Sequence, residues 1–173
     1  MRKLVFLMIA VFAGSYLFAQ EAEYIGAAKC KMCHNKPETG TQYDKWKASK
    51  HANAYAVLAT PEAKKIATEK GIADPQKDQK CLKCHSTAAA HADLNLSGVV
   101  EEGVSCESCH GPGSLYKSMA VMKSKEQSVA KGLIIPDEKV CKTCHNAESP
   151  TFKGFDFAAA TKTIAHPNPA KAK

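Results

Sequence analysis

Past residue 19 this sequence is short of the residues that ordinarily pack a protein core. Residues 20–173 hold six Leu, six Ile, seven Val and three Phe, which is 22 of 154, or about 14%. A chain with less than about 20% of these residues is normally suspected of disorder. There is one Trp. No apolar run beyond residue 19 approaches the roughly 20 residues that a membrane-spanning helix needs. No alternating pattern exceeds about four residues, which argues against a sheet; Val99-Val100 and Leu133-Ile134-Ile135 are too short to form one. Yet the chain is not of low complexity, and it carries eight Cys. Something other than side chains must supply its core.

The first 19 residues are different. Met1-Arg2-Lys3 leads into an apolar stretch from Leu4 to about Ala19, interrupted by Gly14 and Ser15. A charged start followed by a short apolar run reads as a secretory signal peptide, with the cut expected after Ala19. The alternative is an uncleaved N-terminal anchor, and either reading exports the remainder. Residues 1–19 are therefore expected to be the signal peptide and 20–173 a single domain, periplasmic and without a membrane span once the signal is removed.

All eight Cys fall into four pairs of one form. They are Cys30-Lys31-Met32-Cys33-His34, Cys81-Leu82-Lys83-Cys84-His85, Cys106-Glu107-Ser108-Cys109-His110 and Cys141-Lys142-Thr143-Cys144-His145. Cys-x-x-Cys-His is the attachment motif of c-type haem. Two thiols three positions apart each add to a porphyrin vinyl group, and the following His becomes the proximal ligand of the iron. Zinc sites also use Cys-x-x-Cys but do not require a His after each second Cys. Thiol–disulfide redox sites and structural disulfides account poorly for four such pairs. Four haem c groups are the expected cofactor, and four apolar discs would replace the missing Leu and Phe.

Seven His are present. With His34, His85, His110 and His145 proximal, three remain for the far side of four irons: His51, His91 and His166. At most three haems can be bis-His, so the fourth has another ligand or an open position. His51 sits in Trp46-Lys47-Ala48-Ser49-Lys50-His51-Ala52, a stretch of helical character. His166 follows a short helix starting near Asp156 and is stopped by Pro167. His91 is six residues from His85 and would have to serve a neighbouring haem. Met119 and Met122, on an expected helix from Leu115 to Lys131 ended by Gly132, are alternative ligands, although Met at helical spacing more often packs a core.

Thr60-Pro61-Glu62 reads as an N-cap followed by Pro at the first helical position, with Gly71 ending that surface helix. Pro136-Asp137-Glu138 starts a turn of helix into Cys141. The fold class expected is mostly α: a loop-rich, haem-dominated multihaem cytochrome in one domain. Net charge is +7. Loss of Arg2 and Lys3 and the propionates of four haems bring it to about +1, so no nucleic-acid partner is read from it.

These residues resemble the tetrahaem cytochrome c-554 family. The resemblance rests on Cys30-x-x-Cys33-His34 with Trp46-x-x-Ser49-x-His51-Ala52, and on Cys81-Leu82-x-Cys84-His85-x-Thr87. It rests also on Gly103-Val104-Ser105-Cys106-Glu107-Ser108-Cys109-His110-Gly111-Pro112-Gly113-Ser114, and on Cys141-x-x-Cys144-His145-Asn146 with Ser149-Pro150 and His166-Pro167. It spans roughly residues 24 to 169. It implies a helical fold with closely stacked haem pairs, three bis-His haems and one five-coordinate haem, for which the second site is the expected position. It implies periplasmic electron transfer between donor and acceptor oxidoreductases. The alternative is a redox enzyme acting on a nitrogen oxide or hydroxylamine at the open iron. A haem filament, in which a neighbouring subunit supplies the missing ligand, is a third possibility.

Overall fold

The computed structural model describes residues 20–91 and 99–169. The proposed signal segment and residues 92–98 lie outside the described residues. Among these, ten α-helices and three 3₁₀ turns occur and no strand, which bears out the mostly α, loop-rich expectation. The helices are α1 (Ala27–His34), α2 (Gln42–Lys47), α3 (Pro61–Glu69), α4 (Gln79–His85), α5 (Thr87–Ala90), α6 (Cys106–His110), α7 (Met119–Met122), α8 (Lys125–Ala130), α9 (Glu138–Lys142) and α10 (Phe157–Ile164). The longest has nine residues. Isolated helices this short are marginal in water, so each depends on caps and on what it packs against.

The caps follow the sequence closely. Thr60 Oγ1 accepts from Ala63 N–H at 3.2 Å ahead of Pro61. Asp137 caps α9 through Val140 N–H at 3.1 Å, and Asp156 caps α10 through Ala159 N–H at 3.0 Å. Gly71 has φ 67 and ends α3 as expected. Ile72 N–H reaches back to Ala67 C=O at 2.8 Å and Gly71 N–H to Thr68 C=O at 3.0 Å, the paired bonds of a Schellman stop.

Two helical expectations need correction. The stretch to Ala52 is not one helix: α2 ends at Lys47 and His51 stands in the turns that follow. The carbonyl of His51, which a continuing helix would give to residue 55, instead accepts from Ala54 N–H at 3.1 Å and from Val104 N–H at 3.0 Å. The stretch Leu115–Lys131 is likewise broken into α7 and α8. Ser118 and Ser124 each cap a new start, accepting from Val121 N–H at 3.4 Å and Gln127 N–H at 3.2 Å. Serine hydroxyls compete with continued helix in this way.

The side-chain core is as sparse as the composition implies. Of the ten buried apolar residues five are Ala; the others are Trp46, Leu58, Ile72, Leu82 and Tyr116. One cluster joins Ala27, Trp46 and Ala52 with Tyr43 and Cys106 against it. The other joins Leu58, Leu82 and Ala89 with Tyr55, Cys81 and Val100. Each small core thus ends on a cysteine of an attachment motif.

Candidate haem sites

Three motifs place both cysteines within one short helix: Cys30 and Cys33 in α1, Cys81 and Cys84 in α4, Cys106 and Cys109 in α6. Residues three apart share a helix face, so both sulfurs can meet one flat ring. In the fourth motif Cys141 is in α9, and Cys144 and His145 continue as a turn through bonds to Cys141 C=O of 3.3 and 3.0 Å. No disulfide joins any two of the eight cysteines.

Four of the seven histidines come together in two pairs. His51 lies across from His145 with ring centres 6.0 Å apart and planes at 77°. His110 lies across from His166, again at 6.0 Å, with planes at 76°. A metal–imidazole bond is about 2 Å long, so two imidazoles on opposite sides of one iron hold their ring centres about 6 Å apart. Both pairs fit that requirement, and each joins one motif His to one of the three remaining His. Burial lowers the pKa of His51, helped by the neighbouring His145. It lowers that of His110 too, against the raising effect of the hydrogen bond its ring donates to the Ile134 carbonyl. Both effects favour the neutral imidazole that binds metal.

The second ring nitrogen is held as well. His85 Nδ1 is 2.6 Å from Ala54 O, His110 Nδ1 is 3.1 Å from Ile134 O, and His166 Nδ1 is 2.9 Å from Ile164 O. A carbonyl partner at Nδ1 fixes the tautomer and leaves Nε2 for a metal. His91 ends α5, exposed, with its ring stacked on Tyr24 at 4.2 Å and 25°. Tyr24 lies three residues before α1, so this contact sets His91 beside the segment that leads into the first motif. Met119 and Met32 face solvent. Met122 is half-buried, 3.8 Å from Ser128 Oγ.

A hub of backbone hydrogen bonds draws the first three motifs together. Glu107, only 2% exposed, accepts from Ile25 N–H at 2.9 Å, Gly26 N–H at 2.8 Å and Gly113 N–H at 2.7 Å. Glu102 accepts from Ala27 N–H at 2.8 Å, and burial raises its pKa against the lowering hydrogen bonds from Ala27 and Ala28. Glu102 therefore satisfies the first N–H groups of α1, whose own cap position is Gly26 without a side chain, and Glu107 those of the two residues before the helix. Thr87 binds the strand-like segment before α6: its N–H donates to Gly103 O at 2.9 Å, and Ser105 N–H donates to its Oγ1 at 2.7 Å. Trp46 Nε1 donates to Val104 O at 2.8 Å. Motif reading picked out Trp46, Thr87 and Glu107 without assigning them roles; their work lies in contacts 18 to 82 residues apart.

Cysteines of different motifs also lie near one another. Cys30 and Cys106 are close enough to shift each other, the first pKa raised and the second lowered. Burial, with Cys144 near it, pushes Cys84 up to about 11. Burial, with Cys141, Cys106 and Cys144 near, does the same to Cys109. Thioethers would not titrate, but the proximity would remain. The Lys83–Glu148 ion pair adds a tie between the second motif and the chain just after the fourth. Ser49 Oγ and Ser105 Oγ are buried without a protein partner. The donor set, the ring spacings and these two hydroxyls fit covalently held haem.

Comparison with known proteins agrees. Residues 29–111 match the family model described as cytochrome c554 and c-prime. Cytochrome c-554 of Nitrosomonas europaea is 32% identical over 155 residues, covering 79% of this chain. The chain spans 63% of that relative's length. No solved structure matches the chain. A curated relative this similar across most of the chain, together with the family model over the segment bearing three of the motifs, makes the chain a member of the cytochrome c-554 family, whose cofactor is covalently bound haem c.

Proposed function

We propose that this chain is an exported, periplasmic electron carrier with four haem c groups, which exchanges electrons with donor and acceptor oxidoreductases. The haem supplies the redox chemistry, one electron at each iron. The residues of the chain hold, orient and enclose it. Cys30 and Cys33, Cys81 and Cys84, Cys106 and Cys109, and Cys141 and Cys144 are the attachment pairs. His34, His85, His110 and His145 are the proximal ligands. His51 faces the fourth site and His166 the third. His91, held on Tyr24, serves the first. This leaves the second site, at His85, with one axial position not met by a histidine of the chain.

The observation that carries the proposal is the sequence of contacts between motifs. Cys30 lies near Cys106 where α1 packs on α6, Cys109 lies near Cys141 and Cys144, and Cys84 lies near Cys144 beside the Lys83–Glu148 ion pair. Sites linked in that order, first to third to fourth to second, support a short-step path from one end of the molecule to the other. Such a path suits conduction between two partners. Among the described residues no helix is long and apolar enough to cross a membrane.

The test is stepwise reduction of purified holoprotein, followed optically and by electron paramagnetic resonance. Four one-electron equivalents per chain, with electrons redistributing among the haems faster than they are delivered, are expected. Fewer than four equivalents, or haems reduced independently and slowly, would overturn the proposal.

A further inference from the structure

His145 differs from His85 and His110 in what holds its ring. His85 and His110 use Nδ1 to meet a backbone carbonyl. The His145 ring lies instead face to face with Phe155, at 4.7 Å between centres and 19° between planes. Its other aromatic neighbour is His51, nearly edge-on at 77°. Phe155 is well placed to act as a fixed wall. It stands between Gly154, with φ 99, and Asp156, which caps α10.

We propose that Phe155 is a positioning residue of the fourth haem site, fixing the plane of the His145 imidazole close to perpendicular to that of His51. The proposal rests on His51 and His145 sharing one iron, as proposed above. Orientation of an axial imidazole is usually set by a partner on its second nitrogen; here an aromatic face takes that part, using the preference of rings for offset face packing. The consequence is electronic. Perpendicular axial planes leave two of the iron d orbitals nearly equal in energy, and a low-spin ferric haem then gives a strongly anisotropic resonance with a large maximum g value. Parallel planes separate those orbitals and give an ordinary rhombic signal. Tyr24 stacks on His91 in the same manner.

The experiment compares Phe155→Tyr, Phe155→Leu and Phe155→Ala holoproteins with the unaltered chain by electron paramagnetic resonance, with His51→Ala in parallel. The unaltered protein is expected to show two large-g signals, one from each near-perpendicular pair. Phe155→Tyr keeps the flat face and should leave both. Phe155→Leu keeps apolar volume but no flat face; with Phe155→Ala it should move one of the two signals toward the rhombic type, with four haems still attached. Two unchanged large-g signals in the Leu and Ala variants would overturn the proposal. So would loss of covalent haem from Phe155→Leu, which would make Phe155 a packing residue. His51→Ala decides the underlying pairing separately: one haem turning high-spin upholds it, and an unchanged low-spin population removes it whatever Phe155 does.

Discussion

The histidines divide the work of this molecule residue by residue. His51 and His166 sit 6.0 Å across from His145 and His110, so each removal should act on a different site. His51→Ala is expected to make one haem high-spin, His166→Ala a second, and the double variant both, with covalent haem unchanged in all three. Optical and resonance spectra of the oxidised proteins check this. Glu107 is the other residue with an outsized share. Its carboxylate receives three separate backbone N–H groups, and a buried donor left unpaired costs about 1–3 kcal/mol. Glu107→Ala is expected to lose on the order of 3 kcal/mol or more, read as a lower thermal midpoint of the holoprotein. Glu107→Gln, which keeps one acceptor oxygen, should lose less. The residue lies between the two cysteines of a motif and reads there as a spacer. Nothing in the local pattern says that it reaches back more than 80 positions to Ile25 and Gly26.

At the level of elements, local chemistry and long-range docking disagree at identifiable places. Thr60, Asp137 and Asp156 cap where the sequence says they should, because an N-cap needs only the residues beside it. The end of α2 is different. It is set by the segment Gly103–Ser105, which captures the carbonyl of His51 and the indole of Trp46. That docking needs a glycine at 103, where φ is 72 and an added Cβ would lie 2.6 Å from His51 O and 3.0 Å from Ala52 O. Gly103→Ala is expected to cost about 2–4 kcal/mol, from backbone strain together with the displaced turn. It should also perturb the low-spin signal of the site that His51 serves while leaving the His110–His166 site as it was. Thr60→Ala is the contrasting case. Loss of that cap should cost about 1 kcal/mol and leave every haem signal unchanged, because α3 lies on the surface and carries no attachment residue.

For the whole molecule, the function proposed above makes the scarcity of large apolar side chains and the four Cys-x-x-Cys-His motifs one fact seen twice: the cofactors would take the place of a core. Covalent haem should therefore number four per chain by pyridine haemochrome and mass. Cys106→Ala with Cys109→Ala should remove one haem and prevent stable folding, since α6 packs against α1 and its cysteine closes the Trp46 cluster. A variant that folds normally with three haems would show that this site is not a structural one. The reduced protein should bind carbon monoxide at one iron only, the position left over from seven histidines. The motifs, the helical class and the count of seven histidines were legible in the sequence, because each depends on residue identity, short spacing or a count. Which distal histidine faces which motif was not legible. His51 meets His145 across 94 positions and His110 meets His166 across 56, and no spacing rule spans such distances. Those pairings, the order in which the motifs lie near one another, and the plane in which Phe155 holds His145 were decided by the tertiary structure. They arise where separate short helices are tied together by buried carboxylates and backbone carbonyls, and the partners of such groups are fixed only once the chain has closed around them.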